Sequence, residues 1–262
     1  MITRVAIAGA SGRMGQLAQA IVAELPEFEV CAKLGSQSAL SDMRDADLII
    51  DVTSPAASPE IVEYAVRNGI KVLVGTSGWS SEKIATLRTL LSEHKDAGII
   101  LIPNFSIGSV LGSALSTIAG QFFDSIEIIE AHHAAKIDSP SGTAVRTAEM
   151  ITAARKTQGP VRAPHVDQAA RGEQVASIPV HSLRLSGVLA KQEVIFGGVG
   201  EVLTITHDTL SPSAYESGMR VSIQAARDAR GLTVGLDSVL NLDVLTGMSG
   251  ARGGHESSET ER

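Results

Sequence analysis

Hydrophobic positions in the first hundred residues fall in short, nearly continuous runs, separated by longer stretches with helical spacing. Arg4–Ala8, Glu29–Leu34, Asp47–Val52, Lys71–Val74 and Gly98–Ile102 read as strands, and Arg13–Glu24, Pro59–Arg67 and Ser81–His94 as helices. Strands that are apolar throughout, rather than at alternate positions, belong to a sheet covered on both faces. Strand–helix alternation with right-handed crossovers then predicts an α/β domain, a Rossmann-like doubly wound parallel sheet.

The rhythm changes after Asn104. Ser106–Gly120 and Thr143–Arg155 carry helical spacing, Ser125–Ala131 reads as a strand, and polar Gln158–Arg171 as a loop. Ser177–Leu185, Lys191–Phe196 and Val202–Asp208 are strand-like, the last two joined by the turn Gly197-Gly198-Val199-Gly200. This pattern predicts a second α+β domain with a mostly antiparallel or mixed sheet. Ser213–Arg227 returns to helical spacing with Ser213 as its expected N-cap. The expected division is 1–103 with 213–245 for the first domain and 104–212 for the second. The Gly/Ser/Glu-rich stretch 246–262 is expected to be a disordered tail.

Composition narrows the function. The chain has 262 residues, 44% hydrophobic but only 3% aromatic, so base stacking on a nucleic-acid platform is disfavoured. A net charge of -7 makes it a poor partner for nucleic acid or anionic lipid. A single cysteine, Cys31, excludes an internal disulfide and a Cys-rich zinc site, and its apolar run predicts a buried, inert thiol. No apolar run approaches the ~20 residues of a membrane span, and the strand pattern begins at once with no secretory leader, so a cytoplasmic protein is expected.

Gly9-Ala10-Ser11-Gly12-Arg13-Met14-Gly15 follows the first strand and opens the first helix. The three glycines suit a tight turn, a close approach of pyrophosphate to backbone N–H groups, and close packing of the helix on the sheet. Arg13 is placed to meet a phosphate. The region after the second strand, Lys33-Leu34-Gly35-Ser36-Gln37-Ser38, has no carboxylate for ribose hydroxyls before Asp42, so NADPH, or use of both NADPH and NADH, is expected. Gly75-Thr76-Ser77-Gly78-Trp79 and Pro103-Asn104-Phe105-Ser106 follow two further strands, where such sheets bind ligands.

The densest chemistry lies in Glu130-Ala-His132-His133-Ala-Ala-Lys136-Ile-Asp138-Ser-Pro-Ser141-Gly142-Thr143. Two histidines, a lysine and an aspartate precede a helix start whose N–H groups and hydroxyls suit an anion. Lys136 and a histidine are candidate proton donors. Adjacent strand residues point to opposite faces and no third ligand is at hand, so no metal is expected at His132 and His133. His94, His165, His181 and His207 carry no motif. A different two-domain NAD(P)-dependent dehydrogenase and a non-catalytic dinucleotide sensor are the alternatives; Cys31 lies outside the second domain, against a thiol-dependent aldehyde enzyme, and a sensor needs neither His132 nor Lys136.

In these segments the chain resembles the 4-hydroxy-tetrahydrodipicolinate reductase (dihydrodipicolinate reductase) family. The resemblance rests on the Gly9–Gly15, Gly75–Gly78, Pro103–Ser106 and Glu130–Ala144 segments, with Ile178–Arg184 and Glu201–His207 also similar. It implies an NADPH- and/or NADH-dependent oxidoreductase of lysine and diaminopimelate biosynthesis, reducing a small cyclic dicarboxylate imine to tetrahydrodipicolinate. It further implies His132 as proton donor or acceptor and Lys136 as proton donor, with His133, Ser141, Gly142 and Thr143 binding substrate. Gly9, Ala10, Ser11, Gly12, Arg13 and Met14, then Gly75, Thr76 and Ser77, then Ile102, Pro103, Asn104 and Phe105, would surround the dinucleotide. A cytoplasmic homotetramer joined through the second-domain sheets is implied. The acidic residue the family often has after the second strand is absent here, and Ser77 and Trp79 replace the commoner Thr and Phe.

Overall fold

The structure is a computed structural model that describes residues 1–242. It divides into two compact units, one holding Met1–Val110 and Thr209–Leu240 and the other built on Leu111–Asp208. The expected tail at 246–262, and residues 243–245 of the expected first domain, lie outside the described residues.

The first unit runs β1 (Thr3–Ala8), α1 (Arg13–Glu24), β2 (Phe28–Leu34), β3 (Leu48–Asp51), α2 (Ser58–Arg67), β4 (Lys71–Val74), α3 (Ser81–Glu93), β5 (Gly98–Leu101) and the start of α4 (Ile107–Ala119). The sheet order from the far edge is β5-β4-β3-β1-β2, all parallel. The strand order therefore reverses beside β1, and the crevice at the carboxyl ends of β1 and β3 is the switch point where doubly wound sheets bind ligands. Both faces of the sheet are buried, which is why the strands are apolar throughout. Val5, Ile7, Ile50 and Leu73 pack with Ile21 and Val22 of α1, whereas Ala6, Ile49, Val72 and Ile99 pack with Val62 and Val66 of α2 and Leu91 of α3. Each such side chain contributes ~1.5–3 kcal/mol when fully buried.

The second unit begins in the later part of α4 and continues with β6 (Ser125–His133), α5 (Gly142–Ala154), β7 (Glu173–Val175), β8 (Ile178–Leu185), β9 (Ala190–Gly198) and β10 (Glu201–Thr209). Its sheet order is β10-β9-β6-β8-β7, mixed because β6 pairs parallel with β8 but antiparallel with β9. Val199-Gly200 closes the β9–β10 hairpin, with Gly200 at φ +81°, a backbone that glycine adopts at little cost. Ile126, Ile128, Val180, Val194 and Phe196 face Ala144, Ala148 and Ile151 of α5.

The chain then returns to the first unit with α6 (Glu216–Ala226), β11 (Gly231–Val234) and the short α7 (Leu236–Val239). β11 pairs parallel with β5 and widens the first sheet to six strands.

Three expectations are corrected. Ser213 is not the N-cap of a helix through Arg227. Ser211 caps a 3₁₀ turn over Pro212–Tyr215 and α6 starts only at Glu216, because Pro212 suits the first position of a turn. Two short strands, β7 and β11, were not anticipated; at three and four residues they are too brief to show a period. Cys31 is exposed, since β2 is the edge strand of the sheet and Cys31 falls at the irregularity in its register with β1, between Val30, which packs on the α1 side, and Ala32, which packs on the α2 side. Desolvation still raises the Cys31 thiol above its ordinary value, which keeps it in the unreactive protonated form.

Candidate functional site

The glycine turn is built as its sequence demands. Gly9 sits at φ +83°, and a Cβ there would lie 2.5 Å from the Val52 carbonyl oxygen. A Cβ on Gly15 would stand 2.2 Å from the Gly9 oxygen, so this glycine lets α1 close on its own turn at the end of β1 rather than on the body of the sheet. Gly12 is the N-cap of α1 and supplies no side-chain cap, and the first turn has no acidic residue. The first N–H groups of α1 thus have no side-chain acceptor, at a helix end whose dipole favours an anion. This is a cradle that fits a dinucleotide pyrophosphate. Ala10 is buried, Met14 half-buried, and Ser11, Gly12 and Arg13 are exposed at its rim.

The loops beyond β4 and β5 stand beside it in the same sheet. Thr76 is buried and its side chain is engaged with Asp51, leaving this loop's backbone and exposed Ser77 to meet a ligand. Phe105 is core, packed where a Cβ on Gly75 would have to go, and Ile102 is also core. Asn104 accepts from the Ser106 N–H at 2.9 Å and donates to Ser109 at 3.0 Å, so it shapes the entry to α4, while Pro103 is exposed. After β2, Asp42 accepts from the Ala39 N–H at 3.1 Å, which commits the nearest carboxylate to a local turn. Lys33 is exposed.

Asp51 was not singled out from the sequence. It is fully buried at the carboxyl end of β3 and accepts from the Thr53 hydroxyl at 2.5 Å, the Thr53 N–H at 3.1 Å, the Thr76 hydroxyl at 3.1 Å and the Ser58 hydroxyl. One carboxylate therefore ties together the β3 loop, the β4 loop and the start of α2. The available signal was a carboxylate ending an otherwise apolar buried strand.

In the second unit the motif folds around another buried carboxylate. Glu130 and His132 are two apart on β6 and share a face, and His132 Nδ1 lies 2.6 Å from Glu130 Oε2. Arg184, opposite His132 in the parallel β8 register, donates from both terminal nitrogens to Glu130 at 3.0 Å, and from one of them to the Asp138 carbonyl at 2.5 Å. The Ser141 N–H donates to Glu130 at 3.2 Å, while its hydroxyl caps α5 by accepting from the Ala144 N–H at 3.2 Å. The first N–H groups of α5, those of Gly142 and Thr143, are left to an incoming anion. Lys136 is paired with Asp138 at 2.7 and 2.8 Å. His133 is exposed on the opposite face of β6, away from this cluster.

The charges follow the geometry. Burial pushes the Glu130 carboxyl up, but hydrogen bonds from Arg184, Ser182 and His132 overcome it and hold the group below the ordinary carboxylate range. Burial lowers His132 below its ordinary value, aided by Lys136 and Arg184 and opposed by Glu130. The bond from Lys136 lowers Asp138. Among the described residues no group of His, Cys, Asp or Glu could hold a metal, and no helix is long and apolar enough to cross a membrane.

A glycine-cornered anion cradle at the switch point of a doubly wound sheet, together with a second unit that presents acid–base groups beside a helix start, defines a nicotinamide-dependent oxidoreductase. Residues 3–105 match the family model described as dihydrodipicolinate reductase, N-terminus, and residues 108–240 match the one described as dihydrodipicolinate reductase, C-terminus. The chain belongs to the dihydrodipicolinate reductase family. It is 59% identical over 243 residues to the 4-hydroxy-tetrahydrodipicolinate reductase of Clavibacter sepedonicus, covering 93% of this chain and 88% of that one. Its counterpart in Streptomyces griseus is 41% identical over 92% of this chain and 98% of its own. A dipicolinate-bound dihydrodipicolinate reductase from Paenisporosarcina sp. TG-14 superposes with a TM-score of 0.78 at 32% identity, over 91% of this chain and 99% of that one. A myo-inositol dehydrogenase from Corynebacterium glutamicum, at 14% identity and a TM-score of 0.56, shares the fold alone.

Proposed function

We propose that this protein reduces 4-hydroxy-tetrahydrodipicolinate (dihydrodipicolinate) to tetrahydrodipicolinate with NADPH and/or NADH, as a step of lysine and diaminopimelate biosynthesis. The observation that carries the residue assignment is the convergence of His132, Lys136 and the open start of α5 on one end of the second unit's sheet. Family membership supplies the reaction.

The dinucleotide, when bound, supplies hydride to an electron-poor ring carbon. The first N–H groups of α1 hold its pyrophosphate, with Arg13 beside them. The backbone of Gly75–Ser77 and of the 102–105 loop borders the rest of it, on a floor fixed by Asp51 and Phe105. Gly142 and Thr143 receive one substrate carboxylate through N–H groups that are already oriented, so little reorganisation is needed on binding. Charge that develops in the conjugated ring is quenched by a proton from Lys136 or His132, a contribution of ~10²–10⁴ in rate. His133, on the other face of β6, is assigned to a substrate carboxylate on the family resemblance.

Exposed Arg13 and Lys33, with Asp42 committed to a turn, favour a site that tolerates a ribose 2′-phosphate. Among the described residues, α5 covers one face of the second sheet. Its other face carries Ile129, Leu183 and Leu185, the last two 39% and 46% exposed. This supports assembly through that face into a homotetramer. We place the protein in the cytoplasm and assign it no nucleic-acid or membrane partner.

Purified protein, mixed with reduced dinucleotide and the condensation product of pyruvate and aspartate semialdehyde, is expected to oxidise the dinucleotide rapidly. The Lys136→Ala/His132→Ala double variant is expected to lose at least ~10² of that rate. Unchanged turnover in the double variant would overturn the assignment.

A further inference from the structure

Among the described residues, Glu130 is the most heavily engaged carboxylate of the second unit. It has no exposure, and it accepts from both terminal nitrogens of Arg184 and from the Ser141 N–H. An ionised carboxylate has acceptors only. With three N–H donors already aimed at it, Glu130 is in the form that can only accept, and the 2.6 Å contact to His132 Nδ1 therefore requires the hydrogen to sit on the imidazole.

We propose that Glu130 is a positioning residue that locks His132 as its Nδ1–H tautomer, so that the ring presents an unprotonated Nε2 to the substrate. The inference rests on the reading of His132 and Lys136 as the groups at the reacting ring, and it adds the carboxylate behind His132 to them. The charged groups around the imidazole are Glu130 on its own strand, Arg184 from β8 and Lys136 from the following loop. Two of these three are cations, and together with burial they oppose a second proton on the ring. The neutral imidazole has one hydrogen, and it sits on Nδ1, which donates to Glu130.

The step balances. The 4-hydroxyl leaves as water with a neighbouring ring proton, which gives the conjugated dihydrodipicolinate imine, and hydride from the reduced dinucleotide then brings two electrons to it. One N–H bond of the Lys136 ammonium breaks as the new bond to the ring forms, leaving an amine that solvent reprotonates. His132 Nε2 accepts a hydrogen bond and orients the substrate without losing or gaining a proton in this step. Arg184 extends the same device to the loop, since the guanidinium that satisfies Glu130 also holds the Asp138 carbonyl, and Asp138 holds Lys136.

The direct test is a side-chain ¹⁵N–¹H correlation spectrum of histidine-labelled wild-type protein at pH 8, with His132→Ala giving the assignment. We expect a protonated Nδ1 and an unprotonated Nε2. A predominant Nε2–H tautomer, or a doubly protonated ring at that pH, overturns the proposal, whatever the activity of the enzyme. The second arm is kinetic. Glu130→Gln should lower kcat by at least ~10² with the KM for the dinucleotide unchanged, and Glu130→Asp should recover part of it. In a His132→Ala background the same Glu130→Gln change should cost less than threefold, because groups that act as a unit are not additive. Full additivity of the two losses contradicts the assignment. A Glu130→Gln protein that does not fold leaves the wild-type spectrum to decide. Loss of turnover in Lys136→Ala/His132→Ala tests the underlying site separately.

Discussion

Ser141 carries two loads with different atoms, and the two can be separated. Its hydroxyl caps α5 and its N–H binds Glu130, so Ser141→Ala removes only the cap. The expected loss is about 1 kcal/mol in urea unfolding, with the Glu130 network intact. Arg184→Ala is different in kind. It leaves a buried carboxylate without its cation, and a loss of ~3–5 kcal/mol is expected in the same measurement. The contrast also shows what the sequence made legible. His132, Lys136 and Ser141–Thr143 could be proposed as a site because they lie together in one short stretch. Glu130 stood in the same stretch without a role, because what makes it matter is a partner 54 residues away on a neighbouring strand. Asp51 escaped for the same reason, its partners being divided among three loops.

The element proposed to bind dinucleotide depends on a turn with no room for side chains. Gly15→Ala would drive a Cβ to 2.2 Å from the Gly9 oxygen, backbone that cannot swing aside. The start of α1 must then move, and the dissociation constant for reduced dinucleotide, read by nucleotide fluorescence, is expected to rise at least ~10-fold, the equivalent of about 1.4 kcal/mol. Arg13→Ala is expected to raise the KM for NADPH more than that for NADH, since only the former carries a ribose 2′-phosphate; equal changes would remove Arg13 from that role. The long elements were legible from their periods, and α1 has the bounds expected for it. The failures are the start of α6, where Pro212 sets a separate turn, and short or edge elements. β7 and β11 contain too few residues to alternate, and β2 looked buried because an apolar run does not reveal that it ends a sheet.

For the molecule as a whole, acid is the expected weakness. His132 and His207 have folded pKa values depressed by burial below the ordinary 6.5. Each is more readily protonated in the unfolded chain, so stability is full above about that pH and declines as pH falls towards the folded values. Glu127, Glu130 and Asp138 are also depressed, from 4.5, 4.5 and 3.8, and their contribution is present above those values and lost below them. Melting temperature should therefore fall in two stages, below about pH 6.5 and again below about pH 4.5. A Tm independent of pH from 7.5 to 4 would contradict this. The open sheet face gives a further expectation. Leu183→Asp/Leu185→Asp should dissociate the proposed tetramer in sedimentation equilibrium, and an unchanged mass would exclude that face as the interface.

The central claim is that the start of α5 holds the substrate ring where Lys136 can protonate it and hydride can reach it. A crystal structure of the protein with reduced dinucleotide and dipicolinate tests it most directly. The account predicts one dipicolinate carboxylate on the Gly142 and Thr143 N–H groups, Lys136 Nζ within hydrogen-bond reach of the ligand, and the nicotinamide against the ring. Dipicolinate bound away from Gly142 and Lys136 would contradict it.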